Sequence, residues 1–151
     1  MIFTSIAVTA LAIYCLAACQ DLFRRRISNW LSVGLLVLGV GRWVSAGDPV
    51  GGLWALLAAA VGFGVMGALF VRGYLGGGDV KLLASSLLLI GAGAALQMLL
   101  LMSVIGGVVS VVVVVVDKAK RRSQPQCPTP TVPYGIAISA AAAWVMCVQL
   151  L

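Results

Sequence analysis

Few residues in this chain are able to do chemistry. Its 151 residues include four carboxylates, all aspartates (Asp21, Asp48, Asp79 and Asp117), and neither glutamate nor histidine. Without histidine there is no Ser-His or Cys-His nucleophile pair, and the commonest metal ligand is missing. The four cysteines form no CxxC pair: Cys15 and Cys19 share one apolar run, Cys147 lies in another and Cys127 in a polar loop. They predict neither a disulfide framework nor a zinc site, and thiols buried in apolar helices read as small apolar residues. No metal and no cofactor is expected. What remains is carboxylate chemistry. Two carboxylates sharing a site hold one proton between them, because like charges at short range do not both ionise. One then acts as general base toward water while the other donates to a scissile carbonyl.

The elements that must position these acids are set by the solvent. The chain is 62% hydrophobic and 9% charged, with a mean hydropathy of +1.14, against the roughly 45–50% apolar content of soluble domains. This predicts an all-α, polytopic membrane helical bundle forming a single domain over residues 1–151. Counted in spans of about 20 apolar residues, the chain divides into six transmembrane helices: Ile2 to Gln20, Trp30 to Ala46, Val50 to Val71, Val80 to Ala95, Leu96 to Val116 and Pro133 to Leu151. The fourth and fifth form one apolar stretch too long for a single span, divided here as a tight hairpin near Gly91-Ala92-Gly93. Arg42 lies inside the second span, near enough to one end to snorkel. The run Val111 to Val116 would suggest a strand in water, but an open strand in lipid leaves its backbone unsatisfied, so helix is expected. Between Asp117 and Val132 a basic cluster and prolines at 125, 128 and 130, with Pro133 following, predict a non-helical loop.

Charge orients the bundle. Arg24, Arg25, Arg26, Arg72, Lys81, Lys118, Lys120, Arg121 and Arg122 all fall on one side of a six-span arrangement, leaving only Arg42 toward the other. The positive-inside rule makes the crowded side cytoplasmic and puts both termini outside. The net charge of +6 is therefore read as topogenic, and nucleic acid is not an expected partner. Leu16-Ala17-Ala18-Cys19 resembles a lipoprotein cleavage site, but no basic residue precedes the apolar run and three arginines follow it, the bias of an uncleaved helix.

On this division Asp21 and Asp79 stand at the cytoplasmic ends of the first and fourth spans, where they can face one another. Each has a plainer reading. Asp79 follows Gly76-Gly77-Gly78 and opens a helix, as an N-cap would. Asp21 lies at a helix C-terminus, where an acid opposes the dipole, and Arg24 or Arg25 would offer it a solvated ion pair. The fourth span is also short for the bilayer core. The glycines then dip to membrane depth, where irregular backbone lines protein or a wet cavity and leaves room for an extended substrate. Asp48, in Gly47-Asp48-Pro49, reads as a turn residue or cap, and Asp117 as part of the charged loop.

These residues resemble a known family. Gly76-Gly77-Gly78-Asp79-Val80-Lys81 matches the GxGD signature, with its following Val/Ile-Lys, of the type IV prepilin peptidases. Asp21 through Asn29 looks like the family's first motif, an Asp, a basic stretch and Ile-Pro-Asn, with Ser28 in place of the usual proline. Pro133-Tyr134-Gly135 is similar to the opening of its last helix. The resemblance implies a multi-pass peptidase of the bacterial inner membrane, active on the cytoplasmic side. Its partners would be prepilins, whose basic leader is cut from a hydrophobic helix at a Gly-Xaa junction. It assigns Asp21 and Asp79 as the catalytic dyad, places Gly76, Gly77, Gly78 and Lys81 beside the substrate, and leaves Asn29, Pro133, Tyr134 and Gly135 as supporting motif residues. The chain's size is similar to that of the Tad or Flp-pilus members, without the cysteine-pair domain of those that N-methylate the product. The alternative from another class is a small proton- or cation-coupled transporter using the same two acids.

Overall fold

The computed structural model describes residues 2–121 and 133–150. Six helices follow in chain order: α1 (Ile2–Arg24), α2 (Asn29–Ala46), α3 (Pro49–Val71), α4 (Gly77–Ile90), α5 (Ala92–Arg121) and α6 (Tyr134–Leu150). The described residues contain no strand, and the valine run 111–116 is helical. Three stretches, Ile2–Arg24, Pro49–Val71 and Ala92–Lys118, are long and apolar enough to cross a membrane, and Tyr134–Gln149 is a shorter apolar helix.

The distribution of side chains suits lipid as the solvent. Large apolar residues such as Val8, Leu16, Leu36, Leu53, Val65 and Val112 are exposed, whereas α1 buries Ala7, Ala10 and Ala17 and α6 buries Ala137, Ala141 and Ala142. Small residues let two backbones approach closely where lipid tails are as apolar as any leucine, and α1 and α6 pack extensively. Cys15, Cys19 and Cys147 are free and face outward, not inward as expected.

The most enclosed helix is α4, in which Val80, Leu82, Leu83 and every residue from Ser85 to Ile90 are buried. Its 14 residues span about 21 Å, well short of a bilayer core of about 30 Å. Its C-terminal carbonyls therefore need partners inside the protein. Trp43 Nε1 donates to Leu88 O at 2.8 Å, Arg42 Nη1 to the carbonyls of Leu89 and Ile90, and Gln149 Nε2 to Ile90 O at 3.3 Å. Arg42 thus does not snorkel outward. Its guanidinium turns into the bundle over the rings of Phe3 and Trp43, 4.8 and 5.1 Å from their centroids.

The hairpin division holds at Gly91, whose φ of +94° is a conformation that side chains resist. Asp48 is the N-cap of α3, accepting the Gly51 N–H at 2.9 Å. The expected loop after the fifth span starts later than proposed, because α5 continues as helix through Arg121. Cys127 and the prolines at 125, 128 and 130 lie outside the described residues.

Candidate active site

The C-terminal end of α1 meets the N-terminal ends of α4 and α6. Helix α1 runs a turn beyond the apolar stretch, so Asp21 sits within it, on the same buried stripe as Ala7, Ala10, Tyr14 and Ala17. It is only 6% exposed. The helix stops at Arg25, whose φ is +49°, and the chain returns toward α2. Ser28 N–H is held by Gln20 Oε1 at 3.0 Å. Ser28 precedes α2 with φ −66° and makes no side-chain cap bond. That φ is the one a proline ring enforces, so serine takes up the same turn.

The partner of Asp21 is α6. Its Oδ2 accepts the Ile136 N–H at 3.2 Å, with the Gly135 N–H alongside. Both donors belong to the first turn of α6, where N–H groups have no partner in their own helix and the dipole favours negative charge. An acid at the unfavourable end of α1 therefore occupies the favourable end of α6. Among the described residues no ion pair joins Asp21 to Arg24 or Arg25, and Arg25 acts on it only as a nearby charge.

Pro133 precedes α6 and Tyr134 opens it. Gly135 fits because it lacks a side chain: a methyl group there would lie 2.8 Å from Asp21 Oδ2 and 2.6 Å from Ile27 Cδ1. The same Ile27 faces Gly78, where a methyl group would lie 3.1 Å from its Cβ. Ile27 is thus wedged between the helices that carry the two motifs.

Asp79 is not an N-cap. Gly76 takes that place, and Gly77, Gly78 and Asp79 form the first turn of α4. The carboxylate folds back to the Gly76 backbone. Burial first, and the charge of Asp21 second, push Asp79 up to about 6, against the opposing hydrogen bond at Gly76. The two carboxylates therefore share one electrostatic environment. Gly76 is exposed, whereas the next two glycines are closed in: a methyl group on Gly77 would lie 3.3 Å from the Phe70 ring, and one on Gly78 would meet Ile27.

Lys81 donates to Asn29 Oδ1 at 3.0 Å. At about 100° per residue it falls on the side of α4 away from Asp79, lining with Asn29, Val33, Leu36 and Phe63 a separate cavity of ≈ 370 Å³. These two motif residues tie α4 to α2 and do not join the carboxylates. No group of side chains suited to holding a metal exists among the described residues.

Sequence reasoning names Gly135 and Ile27 only as parts of motifs, and misses the wedge that Ile27 forms and the backbone donors of Gly135 and Ile136. Backbone N–H groups carry no residue signature, although a proline opening a helix marks where free ones will be.

No curated protein and no solved structure matches the chain. The model of the type IV leader peptidase family matches residues 7–111, a stretch that holds Asp21, Asn29, the glycine run, Asp79 and Lys81 but ends before Pro133. With well over half of its length matched, the chain belongs to the type IV leader peptidase family, and is by that membership a peptidase.

Proposed function

We propose that this protein cleaves the leader peptide of type IV, Flp-like prepilins at a Gly-Xaa junction on the cytoplasmic side of the bacterial inner membrane, with Asp21 and Asp79 as its catalytic dyad. The observation that carries the reading is the junction of three helix ends, which puts Asp79 under the charge of Asp21. In the reaction the pair holds one proton. Burial pushes Asp21 up as well, but the backbone N–H bonds from α6 and the nearby charge of Arg25 oppose that push, so of the two it is the member better suited to stay charged and take a proton from water. Asp79, which keeps its proton up to about 6, donates to the carbonyl of the scissile peptide. The attacking water then forms a tetrahedral adduct, whose collapse releases the leader. The substrate's hydrophobic helix stays in the bilayer, with both termini of the enzyme on the far side. N-methylation of the product is not part of this activity.

Co-expression with a prepilin tests the reading. Asp21→Ala and Asp79→Ala should each leave the protein inserted and the prepilin uncut. Continued cleavage by either variant would remove the dyad, and a cation-coupled transporter would show no cleavage even in the unaltered protein.

A further inference from the structure

Below the dyad the interior is not uniformly apolar. Tyr14 lies seven residues before Asp21 and Ser86 seven after Asp79, two turns deeper on the same helix faces, or about 10.5 Å. Ser139 lies one turn into α6 from Gly135, again on the face toward Asp21. The three helices whose ends form the site thus each carry a hydroxyl inward. Tyr14 is 1% exposed, Ser86 0% and Ser139 2%.

Their hydrogen bonds are incomplete. Ser86 Oγ donates its proton to Leu82 O at 2.7 Å. Tyr14 Oη sits beside Ser86 without a well-formed bond, and neither Tyr14 Oη nor Ser139 Oγ has a partner. Helical serines commonly return their proton to the carbonyl four residues back, as Ser103 and Ser110 do here. Ser139 does not. Buried hydroxyls without a protein partner are characteristically satisfied by ordered water. Ala17 and Ala142, each three residues along from Tyr14 and Ser139, are both buried and offer these hydroxyls no polar partner.

We propose that Tyr14, Ser86 and Ser139 form a buried water site beneath the dyad, with the water bridging Ser139 Oγ to the Tyr14–Ser86 pair and so fixing the register of α1 against α4 and α6. These are positioning residues. None touches the reacting atoms; they act by holding the helices from which Asp21 and Asp79 project.

Two substitutions in the full-length, detergent-solubilised protein separate a bridged hydroxyl from an orphan. If water bridges them, Tyr14→Phe and Ser139→Ala each leave its remaining partners unsatisfied. The thermal midpoint should then fall in both, by about 2–4 °C. The double variant should fall no further than the worse single, because the same water is lost once. An orphan hydroxyl gives the reverse, since removing it relieves a buried, unpaired group. An unchanged or raised midpoint for either variant, or strictly additive losses, would overturn the site. Kinetics supply the second arm: misregistered carboxylates lower kcat and leave KM unchanged, whereas unaltered kcat would refute the positioning role. The midpoints do not depend on what the enzyme cuts, so they test the water site even if the prepilin reading fails.

Discussion

Replacing Gly135 by alanine perturbs the site with a single methyl group. The new carbon would lie 2.8 Å from Asp21 Oδ2 and 2.9 Å from its Cγ, where ordinary contact begins at 3.4 Å. The carboxylate must therefore retreat by about 0.6 Å, the difference between 3.4 and 2.8 Å. It cannot do so and keep the Ile136 N–H, already at 3.2 Å. Losing a hydrogen bond to a charged group costs about 1.5–3 kcal/mol, and a displacement of about 1 Å in a catalytic group can cost about 100-fold in rate. Together these place the loss at roughly 10- to 100-fold in kcat. The assay is the initial rate of prepilin cleavage by enzyme reconstituted in liposomes. Gly64→Ala serves as the control, because nothing lies within 4 Å of its added carbon, and it should match the unaltered enzyme. A Gly135→Ala rate indistinguishable from that control would refute the inference that the close approach of α6 fixes Asp21.

Four further outcomes follow from the geometry. Asp79 is raised to about 6, so the singly protonated pair is lost as pH rises through that value, and cleavage should decline on that limb. Because the folded state holds the proton more tightly than the unfolded chain, this group's contribution to stability also turns less favourable as pH rises from about 4 to 6. Asp21→Asn removes one of the two causes and leaves burial, so the Asp79 titration, followed by its infrared carboxyl band, should move to lower pH without reaching the ordinary value. Gly91→Ala meets both a φ of +94° and the Trp43 ring at 2.8 Å. It should destabilise the solubilised protein by at least the ~1–2 kcal/mol of a left-handed side chain, while KM, set at the other end of α4, stays unchanged. Arg42→Gln removes a charged donor from the α4 C-terminus and should cost about 1.5–3 kcal/mol in denaturation of the solubilised protein.

What can be read from the sequence follows from which interactions leave a residue-type signature. Hydropathy locates the helices, and Gly91 marks the break within a long apolar stretch, because both are properties of local composition. The end of α1 lies a turn beyond where composition places it. Arg24 is charged, yet the helix runs on to it because the bundle needs Asp21 on the inward stripe that starts at Ala7. Asp79 matches a cap by its neighbours, but three glycines allow the cap to slide to Gly76 and carry the acid inside the first turn. Arg42 seen against lipid alone would snorkel, whereas the carbonyls exposed by a 14-residue helix draw it inward. The oddest residue in the sequence, Asp21 at the wrong end of a helix, is explained only in three dimensions: Pro133 marks where α6 will have free N–H groups, but nothing in the sequence says that Asp21 will meet them.

The central claim is that Asp21 and Asp79 act as one unit on a peptide bond. Its most direct test is the single-turnover cleavage rate of a purified prepilin by reconstituted Asp21→Asn, Asp79→Asn and the double variant. Residues that act together lose nearly all activity when either is removed and little more when both are. Both single variants should therefore fall to the same residual rate as the double. A single variant that keeps substantial activity, or a double variant slower than either by the product of the two losses, would contradict the account.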